Sequence, residues 1–263
     1  MSTWKLLARM PDRSIGGLLA GWSLDLTLRF NEVGSWRLTV PREATPSGWP
    51  APGAGLIIMR DTKVVASGMI DEEEFTWSAE GASDASGAGM YTLTGDTDLG
   101  RLAYRVVYPT PFSPWSSTQA SHFTAVDTAE NLLRKLVDEQ AGPSALPSRR
   151  VPGLVLGPVA GVGREMQTKE RFTPLLDAMR SIALSGGGLA FDVRDRLDGN
   201  MEFVVWQPTD KSNIAQFGTA IGNVTELQVR RVAPVATVAL VAGDEQGENR
   251  KRLELADESA DPA

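Results

Sequence analysis

His122 is the only histidine in the chain and cysteine is absent, so thiol nucleophiles, thiolate metal sites and disulfides are excluded at the outset. His122 follows a proline- and serine-rich segment, precedes Phe123 and has no carboxylates spaced with it as zinc ligands would be. It reads as a surface or packing residue, and no metal or other cofactor is expected. A histidine-assisted serine would call for a Gly-X-Ser-X-Gly elbow, which the sequence lacks. Carboxylates remain: Asp71, Glu72, Glu73 and Glu74 form a compact run. Glycoside hydrolysis needs two carboxylates facing across a cleft, whereas neighbours on a strand point to opposite faces, so the run reads as solvated charge. Asp192, Asp195, Asp198, Gly199 and Asn200 resemble a calcium loop in composition but lack its ligand spacing and terminal glutamate, and they read as a hairpin turn. Gly153, Gly157, Gly161 and Gly163 lack the phosphate-cradling arrangement, and Gly186 to Gly188 follow a helix rather than open one. The seven tryptophans are scattered, which suits core or interface anchors better than a sugar platform.

The elements that carry these residues are mostly strands. Leu24, Leu26, Leu28 and Phe30 alternate, as do Trp36, Leu38 and Val40, so two strands with one buried face should flank a loop in which Gly34 takes a positive φ. Leu56 to Met59 and Lys63 to Ala66 flank Arg60, Asp61 and Thr62 as a second hairpin, closed by Gly68. Glu74 to Ser78 and Met90 to Thr94 add short strands around the soft stretch Gly81 to Gly89. Residues 1–108 therefore read as a strand-rich domain, a barrel or a sandwich, which strands from 220–243 could complete.

Helical signals enter later. Asp127 and Glu130 have capping-box spacing ahead of the stripe Leu132, Leu133, Leu136 and Val137, giving a helix near 127–140. Thr173 as cap, Pro174 at the first helical position and the glycines at 186–188 delimit a second helix near 174–185. Its stripe is Leu175, Leu176, Met179, Ile182 and Ala183, and a hairpin of Leu189 to Val193 and Met201 to Val205 follows. Residues 122–219 thus form a smaller α+β domain with two helices, and 244–263 a polar acidic tail. The fold class expected is α+β, mainly β. The net charge of −7 disfavours a broad nucleic-acid-binding surface. No apolar run is long enough to span a membrane, and the first ten residues do not read as a signal peptide.

Certain residues in order carry a resemblance. Phe30-Asn31-Glu32-Val33-Gly34-Ser35-Trp36 with Leu38 and Pro41, then Gly53-Ala54-Gly55, Arg60-Asp61, Ser67-Gly68, Tyr91 to Asp96, Leu102-Ala103, Tyr108-Pro109, Phe172 to Leu176 and Val238 to Arg250 resemble minor tail proteins of siphoviruses infecting actinobacteria and related Gram-positive hosts. The resemblance implies a baseplate hub or tail-associated protein: a barrel-like domain related to tail-tube subunits, assembled as a trimeric ring at the tail tip, made in the host cytoplasm. Implied partners are the distal tail protein, tail tube, tape-measure protein and distal fibre or receptor-binding proteins, with phage DNA passing through without specific binding. No catalytic residue transfers. Phe30, Gly34, Trp36, Pro41, Gly68, Tyr91, Pro174, Arg230 and Arg231 stand out as structural or interface positions. A carbohydrate-binding module would instead need clustered exposed tryptophans, and a glycan or peptidoglycan hydrolase a cleft with paired carboxylates.

Overall fold

The computed structural model describes residues 3–77, 89–114, 116, 120–215, 217–218, 221–222, 226, 238–242 and 252–256. The chain divides into two compact units, Met1–Thr209 and Asp210–Ala263. The first opens with β1 (Trp4–Arg9), β2 (Ile15–Leu18), β3 (Ser23–Thr27), β4 (Ser35–Pro41), β5 (Gly55–Arg60), β6 (Lys63–Met69), β7 (Glu72–Thr76) and β8 (Met90–Asp96). These strands build two sheets, ordered β2-β1-β5-β6 and β3-β4-β8-β7, with every neighbouring pair antiparallel.

Period-two patterning explains β4, which buries Trp36, Leu38 and Val40 and turns Arg37 outward. β5 is different: Gly55 to Met59 are all buried, as a continuous apolar run allows when both faces are covered. The β5–β6 hairpin turns at Asp61, whose φ of 58° suits a short polar side chain. Leu6, Ala8, Leu56 and Ile58 from one sheet meet Trp36, Leu38, Val40 and Leu93 from the other in a shared core. Among the described residues neither sheet closes into a barrel. At one corner β6 and the residue after β8 make an isolated bridge, Gly68 to Thr97, and the Trp36 indole lies in the space a Cβ on Gly68 would fill. The barrel-like expectation is corrected to two open sheets over one core.

The unit continues through α1 (Gly100–Ala103), β9 (Phe123–Thr128), α2 (Ala129–Gln140), β10 (Leu154–Leu156), β11 (Glu165–Glu170), α3 (Leu175–Ser185), β12 (Ala190–Asp195) and β13 (Met201–Trp206). β10, β13 and β12 form a mixed sheet, and β11 pairs with β9. The stripes read from the sequence on α2 and α3 are buried, and they pack with Phe191, Val193, Met201, Phe203 and Val205 in a second core. Leu99, Leu102 and Val107 also belong to that core, so its first contributions precede residue 108.

Both helix starts differ from expectation. Thr128, not Asp127, caps α2, its hydroxyl accepting from Asn131 N at 3.4 Å. Glu130 is buried and accepts from Ala160 N at 2.7 Å and Val162 N at 2.9 Å, so it clamps the neighbouring loop rather than closing a capping box. Pro174 is itself the cap of α3, without a side-chain bond, while Thr173 Oγ1 donates to Glu170 at 2.7 Å.

In the second unit, β14 (Val238–Ala242) and β15 (Arg252–Ala256) pair antiparallel, with Val238 opposite Ala256. β15 lies inside the stretch read as a polar tail, where Leu253 and Leu255 alternate with charge. Most of 220–237, including Arg230 and Arg231, lies outside the described residues. The described part of the chain is thus a mainly-β α+β fold, and no described helix is long and apolar enough to cross a membrane.

Candidate functional site

The loop between β3 and β4 carries the Phe30 to Ser35 signature. β3 ends at Thr27, so Phe30, expected on a strand face, stands 65% exposed in the loop. Asn31, with φ of 51°, turns the loop toward the second core. Its Nδ2 donates to Leu189 O at 2.8 Å, and its Oδ1 accepts from Phe191 N at 2.9 Å. One amide side chain therefore bonds the backbone leading into β12 as a paired strand would. Arg180 of α3 reinforces the contact, donating from Nε to Asn31 O at 2.9 Å and pairing with Glu32 at 3.2 Å, and Val33 packs on the second core.

Gly34 does not have the positive φ expected of it. It is required for close approach instead: a Cβ there would fall 2.6 Å from Thr27 O. Its N–H donates to Thr97 Oγ1 at 3.0 Å, and its carbonyl accepts from Thr97 N at 2.9 Å. Replacing Asn31 with alanine should strand the Phe191 N–H and Leu189 carbonyl and cost about 1–3 kcal/mol. Urea unfolding of the variant against the native chain measures this as a lower midpoint at unchanged slope.

At the sheet corner, Trp36 is buried and its Nε1 donates to Asp96 O at 3.3 Å. Gly68 and Gly95 flank the indole: a Cβ on Gly68 would lie 2.0 Å from Asp96 O, and one on Gly95 2.0 Å from Met69 O. The corner is closed by glycine on both strands.

Next to it lies a buried ion network. The fully buried Arg9 reaches Asp98 through Nη1 at 2.5 Å and Nη2 at 2.8 Å, and Asp195 through Nη1 at 3.3 Å. Ser67 Oγ donates to Asp98 at 2.6 Å and Arg101 Nε at 3.1 Å. Burial alone would push the Asp98 carboxyl up, but the Arg9 charge and hydrogen bonds, with Arg101 and Ser67, hold it below the usual carboxylate range. β1, β6, the turn after β8 and β12 are thereby tied together. Sequence reasoning missed this group entirely, since an arginine ending an apolar strand does not announce its partners 89 and 186 residues away.

Of the other positions singled out, Tyr91 sits on β8 with its ring 5.0 Å from that of Phe75. Pro41 ends β4 opposite Met90, and Pro174 makes an isolated bridge to Val106. Trp36 and Gly68 meet, whereas Pro174 belongs with α3. Arg230 and Arg231 lie outside the described residues. Glu72 to Glu74 are exposed on β7. Asp198 accepts from Asn200 N at 3.0 Å within a hairpin turn. His122 lies 3.1 Å from Ser121 Oγ. Among the described residues no cluster of histidine and acidic groups could hold a metal.

One surface feature remains. Trp4, Trp22, Leu24, Leu26 and Leu28 line a groove of about 480 Å³ where the core opens beside edge strand β3. Trp4 is 42% and Leu28 54% exposed. Its lining side chains are three leucines and two tryptophans, so they offer indole N–H donors and no acceptor, and sugar recognition relies on placed polar groups to fix orientation.

A mainly-β scaffold braced by docked loops and a buried ion network is the class these observations define. The chain belongs to the siphovirus ReqiPepy6 Gp37-like protein family, whose model matches residues 11–261. This is a siphovirus tail protein family, which makes the chain a virion-associated tail protein with a structural rather than an enzymatic role. The hydrolase alternative falls with that assignment. The crystal structure of the tail protein from Neisseria meningitidis MC58 is similar over 76% of this chain and 50% of that one, with 15% identity and a TM-score of 0.43. The chain spans half the length of that protein. No curated protein matches at a significant level.

Proposed function

We propose that the chain is a baseplate hub subunit at the tail tip, assembling as a ring, expected to be trimeric, that joins the tail tube to the tip and lets DNA pass. The observation that carries this reading is the apolar groove of Trp4, Trp22, Leu24, Leu26 and Leu28, with exposed Ile15 and Leu18 on edge strand β2. Open strand edges with apolar side chains are what a subunit interface covers. The outward face of the β3-β4-β8-β7 sheet is of opposite character: Asp25, Arg37, Thr39, Thr92, Thr94, Glu72 and Glu74 lie on it by register. An acidic, hydroxyl-rich face would not adhere to a passing phosphate backbone. In this reading 1–108 is the hub domain and 122–219 the α+β domain. The neighbours are the distal tail protein, tube, tape-measure protein and distal fibres, assembled in the host cytoplasm. A carbohydrate-binding role is the weaker reading, since the side chains of the groove offer no hydrogen-bond acceptor.

Solution mass across a concentration series, with particle imaging of the same sample, tests this. A closed trimer that dissociates when Trp4→Ser and Leu28→Asp are combined is the expected result. A native chain that stays monomeric at every concentration would count against self-assembly through this groove.

A further inference from the structure

A ring of three like copies closes through a heterologous interface, in which two different patches of the chain meet. The groove of Trp4, Trp22, Leu24, Leu26 and Leu28 is then one patch, and the same groove on the next copy cannot be what covers it. We propose that the groove of one copy receives Ile214, Phe217 and Ile221 of a second copy. The inference rests on the ring reading and names the partner surface at that site. Exposure singles these residues out: Ile214 is 75%, Phe217 79% and Ile221 58% exposed. No other stretch of eight described residues exposes three large apolar side chains; elsewhere they stand singly or in pairs, as Ile15 with Leu18 and Phe75 with Trp77. Among the described residues neither hydrophobic core contains a residue beyond Val205, so the fold does not use these three. A lone exposed apolar residue is ordinary, whereas a cluster marks a surface that something covers.

Their spacing fits the groove. Positions 214, 217 and 221 stand at i, i+3 and i+7, the anchors by which one face of a helix enters an apolar groove. Helical geometry begins just before them. Asp210 Oδ1 accepts from Ser212 N at 2.8 Å, as a helix cap does, and the N–H groups of Ile214 and Ala215 donate to Lys211 O at 3.0 and 2.8 Å. At helical spacing Ile214 and Ile221 stand about 10 Å apart along the axis, which falls within the roughly 20 Å that Trp22 to Leu28 cover as extended chain. The side chains lining the groove carry no charge, so apolar anchors entering it strip water from no ion.

The test uses the full chain carrying Phe217→Ser, whose groove is intact, with its indole N–H signals observed by NMR. It is titrated with an acetylated, amidated peptide of residues 208–222 and with the same peptide carrying Phe217→Ser. The expected result is saturable movement of the Trp4 and Trp22 signals by the native peptide, with binding at least about tenfold weaker for the substituted one, as loss of an aromatic anchor implies. Mixing the Phe217→Ser chain with the chain carrying Trp4→Ser and Leu28→Asp should give a heterodimer by solution mass, because one groove and one set of anchors survive between them. Ile214→Ser provides the same readouts if Phe217→Ser does not fold. Equal response to both peptides, or a response to neither, would overturn the assignment. So would Trp4 and Trp22 signals that differ between the native and Phe217→Ser chains by the same amount at every dilution, the mark of anchors seated in their own chain's groove. A native chain monomeric at every concentration would remove the ring and this contact with it, whereas a closed trimer that persists in the Phe217→Ser chain would remove this contact alone.

Discussion

Replacing Asp98 with asparagine should destabilise the first unit by about 3–5 kcal/mol at neutral pH, the range for breaking a buried ion pair by removing one partner. Arg9 is fully buried and would keep only Asp195, at 3.3 Å, as a countercharge. The bidentate contact at 2.5 and 2.8 Å would be lost with the Asp98 charge. Guanidinium chloride unfolding at neutral pH measures the loss.

The same substitution should also change the response to acid. Asp98 is depressed in the folded chain, so it contributes stability above the unfolded carboxylate pKa of about 3.9, and that contribution is lost as pH falls through the lower folded value. The native chain should therefore lose stability steeply below about pH 4, and Asp98→Asn should show a shallower acid limb. A variant with native stability at neutral pH would mean the network contributes nothing net.

Gly68→Ala should be the second severe change. The added methyl would sit 2.0 Å from Asp96 O and 2.6 Å from Trp36 Nε1, against a backbone carbonyl and a buried ring rather than a side chain that can swing away. Overpacking typically costs about 1–3 kcal/mol, and contact with backbone puts this site at or above the top of that range. For a unit of this size the melting temperature should fall by roughly 6–12 °C. Gly16→Ala is the control: its Cβ would meet the Met10 Sδ at 2.5 Å, the end of a flexible side chain, so a small change is expected. If both variants melt alike, the corner is not tightly closed.

These two sites show where local sequence was informative and where it was not. Strand and helix faces were legible because period two in β4 and the i, i+3, i+4 stripes of α2 and α3 depend only on which neighbours share a surface. The hairpins at Asp61 and at Asp198 to Asn200 were legible because turn geometry is set by a few adjacent residues. Gly34 was marked for the wrong reason: its need for glycine comes from Thr27 O at 2.6 Å, a contact made only when the loop folds back. Glu130 had capping-box spacing, yet its carboxylate goes to Ala160 N and Val162 N, because the loop that folds over the helix start presents two N–H groups to this buried side chain.

By itself the sequence determined a cysteine-free, mainly-β chain with two helices of fixed apolar face, and it carried the family signature in its turns. Only the tertiary structure decided that the signature loop docks through Asn31, that glycines close the corner at Trp36, and that Arg9 finds Asp98 and Asp195. The physical reason is range. Periodicity and turn propensity are properties of neighbouring residues, whereas a buried charge pair or a missing Cβ acquires meaning only when packing brings distant segments within a few ångströms.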